Sequence, residues 1–85
     1  IYCEGEDGYT RIHVAGQAPR LSSYSIGEYR KMLAPLDFFA VHRSYLVNRS
    51  HVQKHDRSGT LLLSNGVEIT VSRRRKEAVS NWLKG

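Results

Sequence analysis

Hydrophobic and polar residues alternate with a period of two along much of this chain, and only two short stretches shift to the helical period. Tyr9 to Val14 sets Thr10, Ile12 and Val14 on one face and Tyr9, Arg11 and His13 on the other. That is the pattern of a half-buried strand with a polar, partly basic outer face. Ile1 to Glu4 and Arg20 to Tyr24 read as shorter strands on either side of it. The turns between them are Gly5-Glu6-Asp7-Gly8 and Gly16-Gln17-Ala18-Pro19.

Ser25-Ile26-Gly27-Glu28 has the form of a capping box, in which the serine hydroxyl accepts an amide and the glutamate reaches back. Ile26, Tyr29, Met32 and Leu33 then share a helical face, and Pro35 stops the helix, so the spacing predicts a helix over 26–34. Phe38 to Val41 is a buried strand, and Ser50 to His55 alternates weakly before the turn Asp56-Arg57-Ser58-Gly59. Thr60 to Ser64 and Val67 to Val71 flank Asn65-Gly66, which predicts a hairpin with a two-residue type I′ turn. Ser72 is a candidate N-cap for a second helix near 73–83, with Ala78, Val79, Trp82 and Leu83 as its apolar stripe. The fold expected is mostly β, with small antiparallel sheets or a partial barrel and two short helices, in a single domain over 1–85.

Composition narrows the function more than the fold. The 85 residues carry a net charge of +5, and its distribution is lopsided. Residues 1–37 hold four Lys/Arg and five Asp/Glu, whereas residues 38–85 hold nine and three. A basic half suits a polyanionic partner, through counterion release and electrostatic steering. No apolar run approaches the ~20 residues of a bilayer span, so no membrane partner is expected. Cys3 is the single cysteine, which rules out an internal disulfide and suggests a cytoplasmic setting with Cys3 as a small core side chain.

Enzyme and metal chemistry find little support. His51 and His55 lie four apart on a strand-like run, with no thiolate or acidic cluster to complete a zinc site. There is no G-x-S-x-G elbow and no G-x-x-x-x-G-K-[ST] loop. Neither an enzyme, nor a metal, nor a cofactor is expected.

Surface recognition remains. The stretch "AVHRSYLVNRSHV" at 40–52 places His42, Arg43 and Ser44 between two apolar runs. A forked donor beside a hydroxyl can address a base edge and a phosphate together. Asn48 reads as a local backbone partner at a turn. The stretch "SRRRK" at 72–76 crowds four cations into the start of a helix, where the dipole favours acids. A phosphate backbone resolves that conflict. Because Arg75 lies nearest the apolar stripe, its stem is expected to pack inward, leaving Arg73, Arg74 and Lys76 to face a ligand.

"FFAVHRSYLVNRSHV" followed by "LLLSNGVEITVSRRRKEAV" closely resembles the LytTR-type DNA-binding domain. Phe39, His42, Ser44, Val47 and Asn48 fill the family's first motif, and Val71, Ser72, Arg73 and Arg74 fill its second. "IYCEGEDGYTRIHVAG" is similar to the family's first strand, glycine-containing turn and aromatic. The resemblance implies an antiparallel β-fold of about ten short strands whose loops enter the grooves of duplex DNA. It implies the output domain of a bacterial two-component response regulator, binding paired direct repeats, with a second copy of the chain as a possible neighbour on DNA. A sensor kinase would act through a receiver domain upstream. The chain is expected to lack both that receiver and the family's first strand.

By the same resemblance, base contacts fall to Tyr9, Arg43 and Arg73, and backbone contacts to Arg11, His42, Ser44, Arg74 and Lys76. The alternative reading is a β-rich protein-interaction or RNA-binding module with a basic face, for which the row Tyr9-Arg11-His13 would serve.

Overall fold

The computed structural model describes residues 1–85 and contains two antiparallel sheets and two helices. The strands are β1 (Tyr2–Glu6), β2 (Tyr9–His13), β3 (Arg20–Ser22), β4 (Phe38–His42), β5 (Tyr45–Asn48), β6 (Val52–His55), β7 (Thr60–Leu63) and β8 (Glu68–Thr70). The helices are α1 (Ile26–Leu33) and α2 (Lys76–Lys84). The larger sheet runs β3-β2-β1-β5-β4 and the smaller β6-β7-β8. The strands number eight, where the resemblance implies about ten.

The pleat of the five-stranded sheet explains the two-layered core. Ile12, Cys3, Leu46 and Ala40 lie in register across β2, β1, β5 and β4, and this row faces α1 through Ile26, Tyr29 and Leu33. One residue along each strand, Tyr2, Val47 and Phe39 form the opposite row. It packs, with Val41, against Leu61, Leu63 and Ile69 of the small sheet and Val79 of α2. Only 13 residues are buried, so each core contact carries a large share of the stability.

The hairpin turns divide unexpectedly. Glu6 pairs with Tyr9, and both Asp7 (φ 47°) and Gly8 (φ 83°) have positive φ, so Asp7-Gly8 is the type I′ turn. At Asn65-Gly66 only Gly66 (φ 85°) is left-handed. There the Gly66 amide donates to the Leu63 carbonyl and the Leu63 amide to the Val67 carbonyl, both at 2.9 Å. Those bonds belong to a three-residue loop with a glycine bulge, which corrects the two-residue turn expected.

The helices depart from the sequence reading at their edges. Ser25 caps α1, its hydroxyl accepting the Glu28 amide at 3.4 Å. Met32 is exposed rather than on the packed face, as is Ala78 on α2. Residues 73–75 form a 3₁₀ turn, and α2 itself starts at Lys76. The Ser72 side chain caps nothing, and its hydroxyl is buried without a partner. His13 is not solvent-facing, since its ring stacks on Tyr2 with centroids 4.1 Å apart.

Trp82, read as a core residue, also anchors a polar junction. Its indole donates to Asp37 Oδ1 at 2.8 Å, while Arg49 Nε meets Asp37 Oδ2 at 2.7 Å. Asn48 Oδ1 accepts the Ser50 amide at 2.9 Å, the local role expected of it.

Candidate nucleic-acid interface

The β4–β5 turn is built so that one side chain stands free. The two strands pair Ala40 with Leu46 and then His42 with Tyr45, leaving Val41 as an extra residue in β4. Neither Arg43 nor Ser44 has positive φ. A two-residue turn of that hand opposes the twist of its strands, and the adjacent bulge supplies the missing twist. The turn is then braced from several sides. The Ser44 amide donates to His42 Nδ1 at 3.1 Å, and the Gly5 amide of β1 donates to the Ser44 carbonyl at 2.7 Å. The His42 ring meets the Tyr45 ring edge-on at 5.5 Å, and the Tyr45 hydroxyl donates to Glu4 Oε2 at 3.3 Å. Burial, and then the Glu4 charge, hold the Tyr45 hydroxyl above its ordinary titration range. Arg43 is exposed and has no intramolecular polar partner.

The second basic segment docks on the bulge. The Ser72 amide donates to the Val41 carbonyl at 2.9 Å, and the Arg75 amide closes the 3₁₀ turn on the Ser72 carbonyl at 3.0 Å. Arg75 Nη1 donates to the Ala40 carbonyl at 2.9 Å, so its stem turns inward as its place in the stripe implied. Arg73 and Arg74 are exposed. The Lys76 stem lies across the β6–β7 turn, where a Cβ on Gly59 would sit 2.7 Å from Lys76 Cε.

Charge compensation falls on other residues. The ion pairs are Arg11–Glu6 at 3.3 Å and Arg49–Asp37 at 2.7 Å, and His13 Nε2 lies 3.5 Å from Glu4 Oε1. None involves Arg43, Arg73, Arg74, Arg75 or Lys76, so these five cations make no ion pair.

Tyr9 and Arg11 stand apart from those cations chemically. The β1–β2 hairpin tip lies at the same end of the sheet as the β4–β5 turn, because Gly5 bonds to Ser44. Tyr9 is half-exposed, and it lines a shallow depression with Glu6, Asp7, Arg11 and Leu21. Arg11 is already paired to Glu6. The structure therefore joins the backbone of the 40–44 segment to that of 72–75, lays Lys76 over the β6–β7 turn, and places Tyr9 and Arg11 on a neighbouring, more acidic hairpin. Arg30 of α1, which the sequence reading passed over, lines a cleft with Arg43 and Arg75.

The family model for the LytTr DNA-binding domain matches residues 1–84. The chain belongs to the LytTR DNA-binding domain family. The LytTR fold is matched in three dimensions by a LytTr DNA-binding domain from Bacillus cereus, assigned to a methyl-accepting/DNA response regulator. The TM-score is 0.85 at 26% identity, covering 100% of this chain and 81% of that one. The CO-responsive transcriptional regulator RcoM of Rhodospirillum rubrum is 34% identical over 70 residues, 78% of this chain. The transcriptional regulatory protein LytR of Staphylococcus aureus is 30% identical over 71 residues, 79% of this chain. This LytTR chain spans only 29% and 28% of those two regulators.

Proposed function

We propose that this LytTR domain binds duplex DNA sequence-specifically through its loops, as the output domain of a transcriptional response regulator in the cytoplasm. The observation that carries the reading is the 2.9 Å bond from Ser72 to Val41. It ties the backbones of two basic segments, about thirty residues apart in sequence, whose exposed arginines make no ion pair. Arg43 and Arg73 are assigned to base edges, and His42, Ser44, Arg74 and Lys76 to phosphates. Tyr9 is assigned a base contact and Arg11 a backbone contact at the flank, the latter requiring release from Glu6. Paired direct repeats would seat two copies, and a sensor kinase would act through an upstream receiver.

Single-stranded binding is disfavoured because it needs several exposed aromatics for stacking. Tyr9 and Tyr24 are the aromatic residues at least half exposed, and neither belongs to the 42–44 or 72–76 segment.

The test is selection from a random duplex library, followed by competition with single strands and RNA at two salt concentrations. A short motif should be enriched, recurring at a fixed spacing, and the duplex should win with a steep salt dependence. Equal or tighter binding of RNA or single strands would transfer the assignment to the RNA-binding alternative.

A further inference from the structure

Between α1 and the β4–β5 turn lies a cleft of about 60 Å³, lined by Gly27 and Arg30 of α1, by His42, Arg43 and Tyr45, and by Arg75, the rest of its lining being apolar. That is room for a group the size of a few waters. Three of its lining residues carry guanidinium groups, from three separate elements of the chain, and no carboxylate pairs with any of them. Arg75 spends one donor on the Ala40 carbonyl, and a guanidinium has five. Arg30 and Arg43 spend none on the protein. Like charges gathered without a counterion raise the energy of the folded state, and an oxyanion between them reverses the sign of that interaction.

We infer that this cleft holds one phosphate of the bound DNA, with Arg30 as a backbone contact contributed by α1. The inference rests on the duplex-binding reading above and extends its footprint from the loops onto a helix. A phosphodiester suits the site in size and in charge. A guanidinium meets a phosphate with two parallel hydrogen bonds, which an ammonium cannot reproduce. Arg43 lines the cleft but is itself assigned to a base edge, so Arg30 and the remaining donors of Arg75 hold the phosphate, which neighbours the base being read.

The test uses the domain and a duplex selected as above, with binding followed by anisotropy from low to high salt. Arg30→Ala should weaken selected and random duplexes alike, by about three- to tenfold, and reduce the slope of log K against log salt by about 0.9. Arg30→Lys should recover the slope but only part of the affinity. Lys31→Ala, one residue along α1 and outside the cleft, should keep more of both than Arg30→Ala does. Arg30→Ala should melt within a degree or two of the parent, since it removes no hydrogen bond or ion pair.

An unchanged affinity and slope for Arg30→Ala overturns the inference while leaving duplex binding intact. No duplex binding by the parent is the separate failure of the underlying reading. Titration with inorganic phosphate alone distinguishes a free anion as occupant. Saturation of the cleft by phosphate, with DNA affinity indifferent to Arg30, overturns the assignment to DNA.

Discussion

The Ser72 amide donates to the Val41 carbonyl at 2.9 Å, joining the segment that carries Arg73 to the bulge that aims Arg43. The two arginines therefore sit on one rigid junction rather than on two independent loops. Arg43→Ala and Arg73→Ala are each expected to lower discrimination between selected and random duplex by about 1–3 kcal/mol. Lys76→Ala should weaken both duplexes equally and lower the salt slope by about 1. Competition binding on the two duplexes measures this, and equal losses on both for the arginine variants would remove them from base reading.

The same residue separates amide from hydroxyl. Ser72 has φ −65°, a value that proline adopts without strain. Ser72→Pro deletes the amide donor and strands the Val41 carbonyl, at an expected cost of about 1–3 kcal/mol. Ser72→Ala deletes only a buried hydroxyl that has no partner, so its stability should stay within about 0.5 kcal/mol of the parent or rise. Ser25→Ala, at a serine that does cap a helix, should lose about 1 kcal/mol. Urea denaturation of the three variants checks the order.

Gly5 links the core to the turn. A Cβ there would lie 2.9 Å from Ile26 Cγ2, while the Gly5 amide holds the Ser44 carbonyl. Gly5→Ala should push α1 outward at a cost of about 1–3 kcal/mol. Adding Ile26→Ala removes Cγ2 and leaves only Ile26 Cβ, 3.1 Å away, so the double variant should lose less than the sum of the single losses. Additive losses in urea would mean that steric contact with α1 is not what keeps position 5 small.

Much of this fold is legible in local sequence. Period-two alternation marks β2, and the stripe of Ile26, Tyr29 and Leu33 marks α1, because burial of one face leaves that periodicity. The two motifs within 39–48 and 71–74 also mark the family, and the basic ends of both are visible as residue runs. What local sequence does not carry is set by distant partners. Asn65-Gly66 suits a type I′ turn and a bulged three-residue loop equally, because both want glycine at position 66. The Val41 bulge meets the Ser72 amide across about thirty residues, and the 3₁₀ turn at 73–75 follows directly on that bond. Asp37, Arg49 and Trp82 meet only after the chain has folded. Arg30 looks like an ordinary helix-surface cation until the β4–β5 turn is placed beside it.

Alkaline pH should loosen the fold through Tyr45, Tyr2 and Cys3. Burial raises all three above their ordinary values, and the Glu4 charge adds to the effect for both tyrosines. An acid whose folded value lies above its unfolded value keeps its proton longer when folded. Its contribution to stability is then fully present below the unfolded value and is lost as pH rises through the window above it. That window opens near 8.5 for the thiol and near 10 for the phenols. Unfolding free energy measured in urea should therefore fall as pH rises above about 8.5. Cys3→Ala should flatten the first part of the fall. Tyr45→Phe, less stable near neutrality for want of the Glu4 bond, should flatten the later part. Curves for the two variants that run parallel to the parent would place the alkaline loss on other groups.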